Sequence, residues 1–382
     1  MMSAKKFCLI SINSYNELTG GGVYLRTLVS FLNKQNVELT LVDKDISEKN
    51  FDVPAAKHFS LSKGLLQDVI SRALLLPSFY MVHLFTILRI CRDNDIIGIH
   101  NSRLGIICYL IKLFFPKKNI ILFTDNFEFN LISQKKATVT SIYEKLIIRF
   151  NEWLGLYISD LVTYITENDR ELMNDYYKNC QQKHLVIPVV YENTQSKNSI
   201  SSAFINKINI LNADSRRKLV FTASFDFFPN VEAAYKIIEK AKDNNNVVFV
   251  LAGRKLSSLS LGKNENVYMF EDLSNDEMSV LLSSCDVFYS PLMLGSGMKT
   301  KVAEALSYGL HVYGSKHTMI GYEEIKDNKE CITLMNDISE PLPAHVIAGV
   351  FDKANICAVQ KTYYSPARFS GSELNTTFGV KS

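Results

Sequence analysis

Short runs of β-branched and aromatic residues alternate along the chain with longer stretches whose apolar positions recur at helical spacing. In the first half, Phe7–Ile12, Glu38–Val42, Ile96–His100, Ile120–Phe123, Leu161–Ile165 and His184–Ile187 read as strands. Between them Val23–Asn33, Ser102–Leu113, Ile142–Tyr157 and Glu167–Tyr177 read as helices. Alternation of this kind builds parallel sheets, because parallel neighbours need a crossover connection. The rhythm breaks over 191–217, where Ser and Asn crowd the chain and apolar periodicity fades, and this stretch predicts a linker. It restarts with strands at Leu219–Ala223, Val247–Leu251, Val267–Phe270, Val287–Tyr289 and Leu310–Tyr313, and helices at Val231–Lys242, Asp276–Ser283 and Lys299–Tyr308. The pattern predicts two α/β domains, each a doubly wound parallel sheet, over residues 1–190 and 218–362. Such sheets bind ligands beyond the C-terminal ends of their strands, so the expectation is two sheets facing across a cleft.

Composition narrows this picture only modestly. A chain of 382 residues suits two domains of ordinary size. The net charge of +3, from 42 basic against 39 acidic residues, is too small to argue for nucleic acid. Seven scattered cysteines without a CxxC pair read as reduced thiols of a cytoplasmic protein, not a disulfide frame or zinc site. The apolar run Phe7–Ile12 is too short for a secretion signal and reads as a first strand. Pro77, His83 and Arg89 interrupt Leu74–Ile90, so that segment is not expected to span a membrane, which takes ~20 apolar residues.

The strongest chemical signal is PLMLGSGMKTKVAEALSYGL, residues 291–310. It leaves a strand, passes through Gly295, Ser296, Gly297 and Met298, and enters a helix carrying Lys299, Lys301 and Glu304. Glycines let the backbone approach an anion, and a helix N-terminus presents N–H groups with partial positive charge. The two lysines add charge for a diphosphate, and Glu304 shares a helix face with Lys301, placed to accept hydrogen bonds from vicinal hydroxyls such as those of a ribose. An ordinary surface helix with a Lys–Glu pair would carry the same residues.

This run resembles the donor-site motif of the retaining GT-B glycosyltransferases of family 4, the group 1 transferases. The pattern G-x-G-x-[KR]-x-K-x-x-E-A-[LM]-x-x-G is matched by Gly295, Gly297, Lys299, Lys301, Glu304, Ala305, Leu306 and Gly309. The wider family has two glutamates eight positions apart; Glu304 fits the second, which usually binds the nucleotide ribose, and Ser296 stands at the first. TASFDFFPNVEAA (222–234) resembles the loop after the donor domain's first strand, with Ser224, Phe225 and Asp226 where many members carry Arg and Lys. VFVLAGR (248–254), ending in Gly253 and Arg254, resembles the next strand, and 270–291 the base-recognition turn and the strand leading into the motif. SDLVTYITENDRELM (159–173) resembles the end of the N-terminal domain, and 363–382 a last helix that packs back on it.

Three further stretches are candidates. LTGGGVYLRTL (18–28) supplies Gly21 and Gly22, which the resemblance places towards the donor phosphates, although its spacing is not that of a dinucleotide fingerprint. FTDNFEFN (123–130) carries Asp125, Asn126 and Glu128 where the family branch often has His-Asn-x-Glu near the acceptor; Asp125 reads as a base or as an Asx cap. His100, at a neighbouring strand end, reads as structural. Leu104–Lys118 and Leu74–Arg92 mix bulky apolar residues with cations and suggest an anionic membrane surface, though a buried helix fits most of 104–115.

The resemblance implies a GT-B fold and a retaining transfer from a nucleotide-sugar co-substrate to a glycan or lipid-linked acceptor, in cell-surface polysaccharide synthesis. Catalytic roles fall on Asp125, Lys301 and Lys299, and donor binding on Gly21, Gly22, Ser224, Arg254, Gly295, Ser296, Gly297, Met298, Lys299, Lys301 and Glu304. No metal or other cofactor is expected, since lysines and helix N–H groups neutralise the leaving diphosphate. The expected location is cytoplasmic, at the inner membrane face. A nucleotide-sugar epimerase on the same fold and an inactive partner subunit stay open as alternatives.

Overall fold

The computed structural model describes all residues except 1–3, 48, 63, 65–81, 134–138, 179–182, 193–199, 263, 295–296 and 375–382. The chain divides into two compact units, Met1–Val189 with Phe369–Ser382, and Val190–Arg368.

Unit 1 holds seven parallel strands, β1 (Lys5–Ser11), β2 (Val37–Lys44), β3 (Lys57–Leu61), β4 (Ile96–His100), β5 (Asn119–Phe123), β6 (Leu161–Tyr164) and β7 (Lys183–Val186). They lie in the order β3-β2-β1-β4-β5-β6-β7. Crossover helices Gly20–Lys34, Leu84–Arg92, Gly105–Phe114, Val139–Ile158 and Glu167–Tyr177 connect them. The central strands are near-continuous apolar runs because helices cover both faces; β4 is buried at every position. Gly98 in β4 makes that packing fit, since a Cβ there would stand 2.7 Å from the Phe7 ring and 2.8 Å from Phe123. β3 (KHFSL) is an edge strand exposed at four of its five positions, so it shows no apolar run from which sequence could place it.

Unit 2 repeats the scheme with β8 (Arg217–Ser224), β9 (Val247–Arg254), β10 (Val267–Glu271), β11 (Val287–Ser290), β12 (His311–Ser315) and β13 (Ile332–Met335), in the order β10-β9-β8-β11-β12-β13. In each sheet the strand order reverses once, between β1 and β4 and between β8 and β11. Those two reversal points are where an open α/β sheet leaves a crevice at its carboxyl edge.

Two boundary expectations are corrected. The stretch 191–217 is not a bare linker: it contains helix Ser202–Ala213, part of unit 2. Ser201 caps that helix and also donates to Glu277 Oε1 at 2.6 Å, while Phe204, Ile208 and Leu211 bury one stripe. Those three apolar positions, spaced i, i+4 and i+7, are the periodicity that the surrounding Ser and Asn mask. Nor is 363–382 one helix. The last long helix among the described residues is Lys353–Tyr363, followed by a buried Tyr364 packed on Tyr322 at 4.8 Å and a short 3₁₀ turn, Pro366–Arg368. From Phe369 the chain joins unit 1, where that ring meets Phe31 edge-on at 5.2 Å and Leu374 N–H donates to Gln35 at 3.0 Å. Residues 375–382, the last eight of that stretch, lie outside the described residues.

Candidate active site

In unit 2 the motif segment leaves β11 at the reversal point and enters helix Thr300–Ser307. Gly295 and Ser296 lie outside the described residues. Gly297 has φ 71, a left-handed conformation suited to glycine. Met298 is buried beneath the turn and seated against Gly321, whose own φ is 89. Lys299 is the N-cap residue, and its ammonium donates to the Gly297 carbonyl at 2.7 Å. The Tyr322 hydroxyl donates to Lys299 O at 2.7 Å and accepts Ala303 N–H at 2.9 Å. A buried phenol from another segment thus braces the helix start, in place of a local Ser or Asp cap. One turn on, Lys301 Nζ lies 2.6 Å from Glu304 Oε2. Glu304 is 8% exposed, and its other oxygen accepts from the Tyr191 hydroxyl at 3.4 Å. Burial and the Glu304 carboxylate push the Tyr191 phenol well above its ordinary range.

The neighbouring strand β8 ends in Ser224, whose hydroxyl donates to Asp226 Oδ1 at 2.7 Å and whose carbonyl accepts from Asn230 at 2.8 Å. Arg254 stands opposite Ser224 in the β8–β9 register and is exposed at the strand end. The Ser224 hydrogen bond, followed by the charges of Arg254 and Lys255, lowers the Asp226 carboxyl. The ends of β8, β9 and β11 therefore carry Ser224, Arg254, Lys299, Lys301 and Glu304 on one edge of one sheet.

In unit 1 the corresponding edge is a buried polar network. His100, fully buried at the end of β4, has Nδ1 2.7 Å from Ser11 Oγ and Nε2 2.5 Å from Asp125 Oδ1. Asn101 follows in a left-handed conformation, φ 88, and its amide donates to both Asp125 and Glu128 at 3.2 Å. Backbone held so away from glycine costs ~1–3 kcal/mol and persists where surrounding contacts impose it. Arg103 closes on Glu128 at 2.6 Å. Behind them Glu152, with no exposed surface, accepts Ser102 Oγ, the N–H groups of Glu128 and Phe129, and Tyr177 Oη. Burial nonetheless raises its carboxyl to about 7. Gly21 and Gly22 lie in the first turn of helix Gly20–Lys34 rather than in an open loop. A Cβ on Gly21 would meet the Asn13 side chain at 2.4 Å, and one on Gly22 the Glu17 carbonyl at 2.2 Å.

Residues 216–347 match the family described as Glycosyl transferases group 1. Unit 2 is a group 1 glycosyltransferase domain. No curated protein matches the chain in sequence. Among solved structures, sucrose-phosphate synthase from Thermosynechococcus elongatus is 14% identical over 99% of this chain and 100% of its own, with a TM-score of 0.70. HepE from Anabaena, in complex with UDP-glucose, is 11% identical over 98% and 100% with a TM-score of 0.63. WaaG, a glycosyltransferase involved in lipopolysaccharide biosynthesis, is 13% identical over 96% and 92% with a TM-score of 0.58. At these identities the likeness is one of fold, and the fold is GT-B: two Rossmann-like parallel-sheet domains.

The chain is thus a glycosyltransferase, and its expected site residues can be placed. Ser224, Arg254, Gly297, Lys299, Lys301 and Glu304 gather at the carboxyl edge of the sheet of unit 2, while the Met298 side chain is a buried anchor. Asp125, Gly21 and Gly22 belong to unit 1. The transferase holds three side chains at these edges that sequence reasoning did not assign. Tyr191 and Tyr322 give no local signal, because they reach the motif helix from distant segments. Glu152 sits mid-helix, where a lone Glu reads as a surface residue. No helix among the described residues is long and apolar enough to cross a membrane.

Proposed function

We propose that this glycosyltransferase transfers a sugar, with retention at the anomeric carbon, from a nucleoside-diphosphate sugar to a glycan or lipid-linked acceptor of cell-surface polysaccharide synthesis. One observation supports this most: a helix N-terminus carrying Lys299 and Lys301, with Glu304 one turn on, at the strand-order reversal of a group 1 domain. In this reading the helix start and its lysines stabilise the charge that grows on the leaving diphosphate, and Glu304 accepts from the ribose hydroxyls. Asp125, held by His100 and Asn101, is the polar group offered towards the acceptor hydroxyl. The protein's own cations do the neutralising, so a divalent ion is not required.

Titration calorimetry with nucleoside diphosphates, followed by turnover of the corresponding nucleotide-sugar with and without chelator, tests the reading. It expects micromolar or tighter diphosphate binding and chelator-insensitive turnover. Donor conversion to an epimer in the absence of acceptor, or an absolute metal requirement, overturns it.

A further inference from the structure

Asn151 and Glu152 are neighbours on helix Val139–Ile158, and both are buried, at 1% and 0% exposure. Each holds the start of a different helix. Helix Gly105–Phe114, which follows β4, has no side-chain cap of its own, and Asn151 Oδ1 accepts its Ile106 N–H at 3.0 Å. That helix belongs to one of the two stretches expected at a membrane surface, Leu104–Lys118, and is half-buried; the other, Leu74–Arg92, lies partly outside the described residues. Helix Glu128–Ser133, which follows β5, gives its first two N–H groups to Glu152: Glu128 to Oε1 at 2.9 Å and Phe129 to Oε2 at 3.0 Å. N–H groups at a helix start have no partner within the helix, and a carboxylate also meets the helix's positive end. The close approach depends on Gly105, where a Cβ would stand 1.9 Å from Asn151 O. Glu152 takes two more donors, Ser102 Oγ on Oε1 and Tyr177 Oη on Oε2, both at 2.9 Å.

These contacts join the two turns that carry the polar edge of unit 1. Ser102 follows Asn101, whose amide donates to Asp125 and Glu128, and Glu128 lies three residues after Asp125. We propose that Glu152 is a positioning residue of the transferase: its carboxylate clamps the turn after β4 to the turn after β5 and so fixes where Asp125 stands. The inference rests on the reading of Asp125 as the group that faces the acceptor hydroxyl. Four donors fill the acceptor capacity of an ionised carboxylate, each oxygen taking one backbone N–H and one hydroxyl. A protonated carboxyl must itself donate. The backbone N–H groups cannot reverse, so its proton goes to Ser102 Oγ or Tyr177 Oη, and the bonds that remain lose their charge assistance. The clamp is therefore tightest in the ionised form. Burial raises the carboxyl to about 7, opposed by the Ser102, Phe129 and Tyr177 hydrogen bonds. Facing it are Glu128, whose charge adds to the rise and which Arg103 pairs, and Tyr177. Burial and Glu152 itself push the Tyr177 phenol well above its ordinary range, against the Arg149 charge. Turnover should accordingly rise as pH passes through about 7.

Donor consumption by the full-length protein tests it, with UDP-, GDP- and ADP-hexoses as donors and methyl hexosides as surrogate acceptors, from pH 5 to pH 8. Each Glu152 oxygen takes a backbone N–H, so the amide of a Gln faces one of them whichever way it turns. Glu152→Gln should therefore lower kcat about tenfold at the alkaline end and flatten the rise, with nucleoside-diphosphate affinity as in the wild type at each pH. Ser102→Ala removes one donor that favours the charged form and keeps both backbone bonds, so it should move the inflection to higher pH. A flat wild-type profile overturns the proposal, and so does an inflection that persists in Glu152→Gln. A loss shared equally by turnover and nucleoside-diphosphate binding overturns it too, because general loosening of the fold produces that result. Should Glu152→Gln fail to fold, Ser102→Ala decides alone, and an inflection left where the wild type has it overturns the proposal. Wild-type protein that binds nucleoside diphosphate and consumes donor without dependence on Glu152 loses the clamp alone. Wild-type protein that does neither loses the transfer reading, and the clamp with it.

Discussion

The ammonium of Lys301 lies 2.6 Å from the Glu304 carboxylate, so the two residues assigned to diphosphate and ribose are partners of each other. Lys301 is 44% exposed, and the pair's own contribution to fold stability is at most about 1 kcal/mol. Its consequence is coupling. Lys301→Ala should lower turnover ten- to a hundredfold, the worth of a charged hydrogen bond of ~1.5–3 kcal/mol, with a smaller effect on donor binding. Glu304→Gln should weaken nucleoside-diphosphate binding itself. The double variant should lose less than the sum, with a coupling energy of ~0.5–3 kcal/mol in a titration-calorimetry cycle. Strict additivity, or normal binding and turnover in both single variants, would reduce the pair to an ordinary surface contact.

The His100–Asp125 contact predicts a different split. His100 is enclosed between Ser11 and Asp125, and replacing it by Ala removes one buried polar contact from each and leaves a cavity, while Asn13 N–H still reaches Ser11 and Asn101 still reaches Asp125. A lost buried contact costs about 1–3 kcal/mol, so the variant should lose several degrees in melting temperature. Asp125→Asn keeps the shape and an acceptor oxygen but removes the charge. It should reduce turnover at least tenfold while leaving nucleoside-diphosphate affinity unchanged, since Asp125 belongs to unit 1 and the proposed diphosphate and ribose contacts, Lys299, Lys301 and Glu304, to unit 2. Weakened nucleotide binding in Asp125→Asn would contradict that division of labour.

The arrangement of the motif helix was legible because it is local: Gly297, Lys299, Lys301 and Glu304 lie within eight residues, and one helix start arranges them. The sheets were legible for the same reason, since each central strand is an apolar run of its own. Assembly across distance was not. His100 reads as structural on its own, and only the register of β1 and β4, which sets Ser11 against His100, together with the Asp125 contact, shows a network. Asn101 gives no hint of its φ of 88, which neighbours impose through Asp125 and Glu128. Helix Ser202–Ala213 was lost under its own surface, where Ser and Asn outnumber the three buried apolar positions.

Gly253 offers a test of how the end of β9 is built. Its φ is 149, and a Cβ there would stand 1.7 Å from the Ala223 carbonyl, with no flexible side chain to yield. Gly253→Ala must push the end of β8 away from β9, displacing Ser224 and Arg254 together, because these residues are paired in register. The expected stability loss is about 1–3 kcal/mol, read from denaturant unfolding, with weaker nucleotide binding in the fraction that stays folded. A variant that unfolds and binds like the wild type would show that the strand ends are looser than this packing requires.

Glu152 predicts how stability depends on pH. Its ordinary value is 4.5, and burial raises it to about 7 against the donors Ser102, Phe129 N–H and Tyr177, with the Glu128 charge adding to the rise. Between those two values the unfolded chain is ionised at this position while the folded protein still holds the proton. Unfolding therefore releases a proton in that window, and stability falls as pH rises through it. The contribution is fully present below about 4.5 and is lost once the pH passes about 7. A difference of that size corresponds to about 3 kcal/mol at most, at 1.36 kcal/mol per decade. Glu152→Gln carries no titrating proton and keeps one acceptor, so its stability should be flat where that of the wild type declines. The measurement is the denaturant midpoint of both proteins at half-unit steps from pH 5 to pH 8. Equal slopes in the two proteins would mean that the four hydrogen bonds to Glu152 hold it ionised throughout, and that its burial is already compensated.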